Sequence, residues 1–137
     1  TDVYIEFLQT GGFHEGLKAL YPFRPPDIYF SSIVAGELLQ GTLDPEGVQH
    51  VEDLYKPFER VGRVAAPNDR DWKEAGKVLA RIRSKKKGFR TKTGLLLNDA
   101  LLATTAKRIG AVVYTSNLRD FQLISEFLSF RFQSIPL

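Results

Sequence analysis

The feature that most restricts the fold of this chain is the run Ala111-Val112-Val113-Tyr114-Thr115, which follows Gly110 at the end of its most apolar helical stretch. A short β-branched run without polar alternation has the character of a strand buried on both faces, as parallel strands covered by helices are. The stretch before it, residues 95–109, carries apolar side chains at helical spacing, so a helix leads into that strand. The same alternation recurs upstream. After the break RPPD, Ile28, Tyr29 and Phe30 form a strand-like run, and SSIVAGELLQG continues as a helix with Ser31 or Ser32 as its cap and Gly41 as its end. DPEGVQHVEDLYKPFERV reads as an amphipathic helix with Pro45 in its first turn, and Val61 to Ala65 return as a strand. A helix beginning near Asn68 and Asp69 runs through Trp72, Ala75, Val78, Leu79 and Ile82 before a basic stretch that ends at Gly88. A last helix covers about 118–127, and Phe130, Phe132 and Ile135 predict a closing strand. At the start, Val3, Phe7 and Leu8 have helical spacing, with Thr1 or Asp2 as cap and Gly11-Gly12 as stop; a second short helix covers 14–20.

Strands alternating with helices imply an α/β domain with a mostly parallel central sheet flanked by helices, and a ligand site beyond the carboxyl ends of the strands. At 137 residues, without a repeat or a linker, the chain forms a single domain over 1–137. The absence of cysteine removes disulfides, thiolate nucleophiles and cysteine-ligated zinc from consideration, so a metal must be held by oxygen or imidazole. With no apolar run of membrane-spanning length and no leader pattern, the expected location is cytoplasmic and no membrane partner is expected. The net charge of +3 suits a polyanionic partner without requiring one.

Three acids stand where acids are out of place. Glu37 shares a helical face with Ile33 and Val34, and its bland reading is a rim glutamate reaching water. Asp99 is the stronger anomaly, because its neighbours at helical spacing, positions 95, 96, 102, 103 and 106, are all Leu or Ala. A buried carboxylate costs several kcal/mol unless something compensates it, and either a salt bridge or a metal would serve. Asp120 and Asn117 follow the carboxyl end of the AVVYT strand, with Thr115 and Ser116 adding hydroxyls, and Ser116 or Asn117 is also positioned to cap the last helix. Clustered carboxylates repel unless a divalent cation sits among them, and all-oxygen ligation selects Mg²⁺ or Mn²⁺. Such a site suits phosphodiester hydrolysis.

The strings TDVYIEFL, SSIVAGELL and LNDALLATTAKRIGAVVYTSNLRDF, in this order and spacing, resemble PIN-domain nucleases, specifically toxins of the VapC type, over essentially the whole chain. The resemblance implies a PIN-like three-layer domain and a Mg²⁺- or Mn²⁺-dependent endoribonuclease, the toxin of a toxin-antitoxin pair. It carries metal roles onto Glu37, Asp99 and Asp120, with Asn117 at a polar position that is often acidic. It further implies a homodimer and an inhibitory antitoxin protein. In this family the first acid is the aspartate of an Asp-Thr pair ending the first strand. Thr1 matches the threonine, so the first strand and its aspartate are expected ahead of Thr1, and Asp2 matches the next, variable position that can help line the site.

Arg81, Arg83, Lys85, Lys86, Lys87, Arg90 and Lys92 place seven of the 19 basic residues in twelve positions without an acid, as an RNA-phosphate contact or a solvated turn. His14 and His50 read as surface or packing residues. The aromatics Phe7, Tyr29, Trp72, Phe121 and Phe127 fall at core spacings. The rival to a nuclease is a catalytically silent PIN-like module that binds RNA or protein; a phosphatase-like hydrolase lacks its nucleophile motif.

Overall fold

In the computed structural model, which describes residues 3–5, 28–89 and 93–134, the chain forms β1 (Val3–Ile5), β2 (Ile28–Ser31), α1 (Ser32–Gln40), α2 (Pro45–Arg60) and β3 (Val64–Ala65). It continues through α3 (Asp69–Lys85), α4 (Leu97–Ile109), β4 (Val112–Thr115), α5 (Leu118–Ser125) and β5 (Arg131–Ser134). All strand pairings are parallel, in the order β3-β2-β1-β4-β5. Right-handed crossovers in that order put α1 and α2 on one face of the sheet and α3, α4 and α5 on the other.

Local chemistry explains most boundaries. Ser31 Oγ accepts from the N–H groups of Ile33 and Val34 at 3.1 and 3.4 Å, which starts α1 directly at the end of β2. Asp44 Oδ1 accepts from Gly47 N at 2.7 Å, and Pro45 occupies the first position of α2. Asn68 and Asp71 form a reciprocal capping box, each side chain accepting from the other's N–H at 2.9 Å. Gly110, at φ +74°, closes α4 in the left-handed conformation and turns the chain into β4, a geometry that a β-carbon would strain.

The opening differs from the helix expected over 2–9. Val3–Ile5 is a strand, and it lies at the centre of the sheet, with Val3 opposite both Ile28 and Val112. Pairing on both sides overrides the helical spacing of Val3 with Phe7 and Leu8, and valine, tyrosine and isoleucine all suit a pleated surface. The first strand of the described residues is thus Val3–Ile5, after Thr1 and not ahead of it. The expected helix over 14–20 lies outside the described residues. Val61 and Gly62 form a turn, not strand, with Val61 68% exposed and Gly62 at φ +70°, so β3 begins only at Val64.

The core joins the layers. Phe30 of β2 packs edge-on to Tyr55 at 5.3 Å and against Phe58 at 5.4 Å, both on α2. On the other face Val78 and Ile82 of α3, Leu101 and Leu102 of α4, and Phe121 and Ile124 of α5 are all buried. Among the described residues two expected in the core are outside it, and Phe7 lies outside the described residues. Trp72 is 52% exposed because the buried stripe of α3 runs through Asp71, Ala75, Val78 and Ile82, one position earlier in its first turn. Leu95 is 80% exposed because it lies in the tighter 3₁₀ turn Thr93–Leu96, out of phase with α4. Asp71 is 3% exposed and pairs with Arg108, whose Nε donates at 2.8 Å while its Nη2 donates to the Ala66 carbonyl at 2.9 Å. That node fixes the start of α3 to the end of α4.

Candidate metal centre

Strand order reverses between β1 and β4, where open α/β sheets bind ligands beyond the carboxyl ends of their strands. Thr115, fully buried, ends β4, and its Oγ1 accepts the N–H of Asn117 at 2.9 Å. That turn aims the Asn117 amide at two acids. Its Nδ2 donates to Asp99 Oδ2 at 3.2 Å and to Asp120 Oδ2 at 2.8 Å, so the two carboxylate oxygens are no further apart than these two bonds laid end to end.

Asp99 is the third residue of α4 and Asp120 the third of α5. Both carboxylates therefore sit in first turns, where the positive end of the helix dipole favours a negative charge. Asp99 is 8% exposed, as expected of an acid in the apolar stripe, and Asp120 is half-buried. The helix starts here differ from the others. Side chains cap α1, α2 and α3, whereas α4 and α5 have no side-chain cap bond. Asn117 occupies the cap position of α5, as the sequence predicts, but its side chain donates to the two acids instead of accepting from the backbone N–H groups of the first turn.

Glu37 is half-buried, and that burial pushes its carboxyl above the usual 4.5. Its helix packs against α4, and among the described residues no group of three or more His, Asp or Glu side chains is arranged to hold a metal ion. Of the three acids, Asp99 and Asp120 are brought together through Asn117. Glu37 stands in the second turn of α1, whereas Asp99 and Asp120 stand in first turns. Ser116 is exposed, and Thr1 and Asp2 lie outside the described residues.

The donor set suits a hard divalent cation. Two carboxylates within reach of one point, without sulfur or imidazole, match the way Mg²⁺ is held, by one or two protein carboxylates with water and substrate phosphate completing the shell. The basic stretch flanks the same helix. Arg81, Arg83, Lys85 and Lys87 are exposed at the end of α3 and just after it, ahead of α4, while Lys86 Nζ is 3.3 Å from Glu126 Oε1 and so is partly engaged. Arg90 and Lys92 lie outside the described residues. His50 is exposed; His14 lies outside the described residues. Between α1 and α2 runs a groove of about 470 Å³ with Ala35, Leu39, Val51 and Tyr55 on its walls and Glu52 and Lys56 at its rim.

A five-stranded parallel sheet with paired carboxylates at its switch point defines an α/β domain built around an acidic site. The PIN domain family model matches residues 1–126, and the chain belongs to that family. Solved structures with the same fold include a DNA-bound VapBC from Salmonella typhimurium (TM-score 0.69, 19% identity, covering 99% of this chain and 100% of that one). They also include VapBC from nontypeable Haemophilus influenzae (0.62, 19%, 98% and 98%) and promoter-DNA-bound VapBC from Rickettsia felis (0.62, 18%, 98% and 98%). No curated protein sequence matches significantly. Among the described residues no helix is long and apolar enough to cross a membrane.

Proposed function

We propose that this single PIN domain, over residues 1–137, is a metal-dependent endoribonuclease that hydrolyses RNA phosphodiesters and serves as the VapC-type toxin of a toxin-antitoxin pair in the cytoplasm. The observation that carries this reading is the pair of carboxylates, Asp99 and Asp120, held together by Asn117 at the carboxyl end of β4. Asp99 and Asp120 would hold Mg²⁺ or Mn²⁺, with Glu37 acting from the wall of the site. When bound, the ion would lower the pKa of a water molecule and offset charge on the phosphate. The chain's own residues bind and orient. The buried Thr115 hydroxyl fixes the turn that carries Asn117, and Asn117 sets the two carboxylates relative to each other. Arg81, Arg83, Lys85 and Lys87 offer phosphate contacts ahead of α4, with Arg90 and Lys92 continuing the stretch in sequence.

The neighbours are VapBC complexes, and together with the resemblance to VapC-type toxins this supports an antitoxin partner here. The apolar groove between α1 and α2 is a surface that such a chain would cover, and a homodimer is the assembly proposed for the toxin alone. The second reading, a silent module that binds RNA or protein, is favoured by one observation: among the described residues no group of three or more His, Asp or Glu side chains is arranged to hold a metal ion. Incubating the protein with single-stranded RNA and Mn²⁺ or Mg²⁺ separates the two. Cleavage that stops with a chelator supports the nuclease, and RNA that is bound but intact in both ions supports the silent module.

A further inference from the structure

The Asn117 amide does more than line the site. One neutral NH₂ group donates to two carboxylates from different helices, and its own backbone is anchored by a fully buried hydroxyl. Like charges so close disfavour one another, and a shared donor both offsets that repulsion and fixes the spacing of the two oxygens. An acid at position 117 would do the opposite, adding a third negative charge to the same few ångströms. We infer that Asn117 is a positioning residue that limits how strongly the site demands a cation: it holds Asp99 and Asp120 in register for one shared ion while keeping the charge of the cluster low enough for the protein to fold without it.

This rests on the metal-dependent reading above and adds to it a residue-level claim with its own readout. The test is thermal melting of the whole protein in chelator and across a Mn²⁺ titration, for the wild type, Asn117→Asp, Asn117→Ala and Asp120→Asn. In chelator Asn117→Asp should melt below the wild type and Asp120→Asn at or above it. In Mn²⁺ the Asn117→Asp protein should gain more stability than the wild type, with its half-maximal response at a lower concentration. Asn117→Ala, which removes the donor without adding charge, should need about tenfold more Mn²⁺, the low end of what losing an orienting partner costs. A wild type that responds to Mn²⁺ together with an Asn117→Asp protein that melts and responds like it would overturn the inference alone. A wild type indifferent to Mn²⁺ would overturn the metal reading and the inference with it. Should Asn117→Asp not fold in chelator but fold in Mn²⁺, the inference is supported in its strongest form, and Asn117→Ala still measures the positioning effect.

Discussion

Among the described residues, two aspartates are buried in the first turns of long helices, and they are handled in opposite ways. Asp71 belongs to a capping box and meets the Arg108 guanidinium at 2.8 Å, so its charge is matched by an opposite one. Asp99 is tied through a neutral amide to a second acid, Asp120. The first arrangement uses a carboxylate to fix two helices to each other. The second brings like charges together, an arrangement that a bound cation would favour.

The largest expected contrast follows from exchanging charge for amide at each site. Asp99→Asn should lower RNA cleavage by at least about 100-fold, since a metal-holding group is lost, while the melting temperature stays level or rises. Cleavage and melting measured on the same preparation check this; a protein that melts lower yet cleaves normally would move Asp99 into the class of Asp71. Asp71→Asn should do the reverse. It removes the partner of Arg108, whose side chain is 37% exposed and can partly rehydrate, so the loss should be about 2 kcal/mol, or roughly 6 °C in melting temperature, with cleavage by the folded protein unchanged.

A smaller effect separates the basic stretch from the acid pair. Replacing Lys85, Lys86 and Lys87 by alanine should weaken RNA binding and flatten its salt dependence by nearly one unit of slope for each phosphate no longer neutralised. Because Lys86 is engaged with Glu126, the change should approach two units and not three; an unchanged slope returns these lysines to solvent. The smallest effect concerns Glu37. Its carboxyl is raised by burial, so the folded state holds its proton more tightly than the unfolded chain does. Its contribution to stability is therefore full below the unfolded value of 4.5 and is lost as pH rises through the higher folded value. Glu37→Gln should melt slightly higher than the wild type at neutral pH, and the difference should vanish as pH falls toward that range in melts across pH.

What the amino-acid pattern discloses differs between these regions for physical reasons. Asp99 is legible because an acid interrupts a Leu and Ala stripe, and Asp120 and Asn117 because they follow a buried strand's end; the structure brings these three together. Glu37 has the same kind of local signature, yet the distance from its turn of α1 to the other acids depends on how two layers are stacked, which no helical spacing encodes. The Asn68–Asp71 capping box is visible three residues apart in the sequence, but the pairing of Asp71 with Arg108, 37 positions away, is not. Val3–Ile5 is read as helix for a similar reason. Three residues carry too little pattern to specify a strand, and what makes them one is the pairing with Ile28–Phe30 and Val112–Tyr114 on either side.

The missing side-chain caps on α4 and α5 have a consequence for motion. A cap bond contributes about 1 kcal/mol to the end it closes, so the two helix starts that carry Asp99 and Asp120 open more readily than those of α1, α2 and α3. Local opening is thus concentrated where the carboxylates stand, while the capped ends keep the sheet assembled. The amide hydrogens of those two first turns should exchange with solvent fastest among the five described helix starts, and anything that grips both acids should slow them together, so the looseness of the site and its occupancy become one measurable quantity.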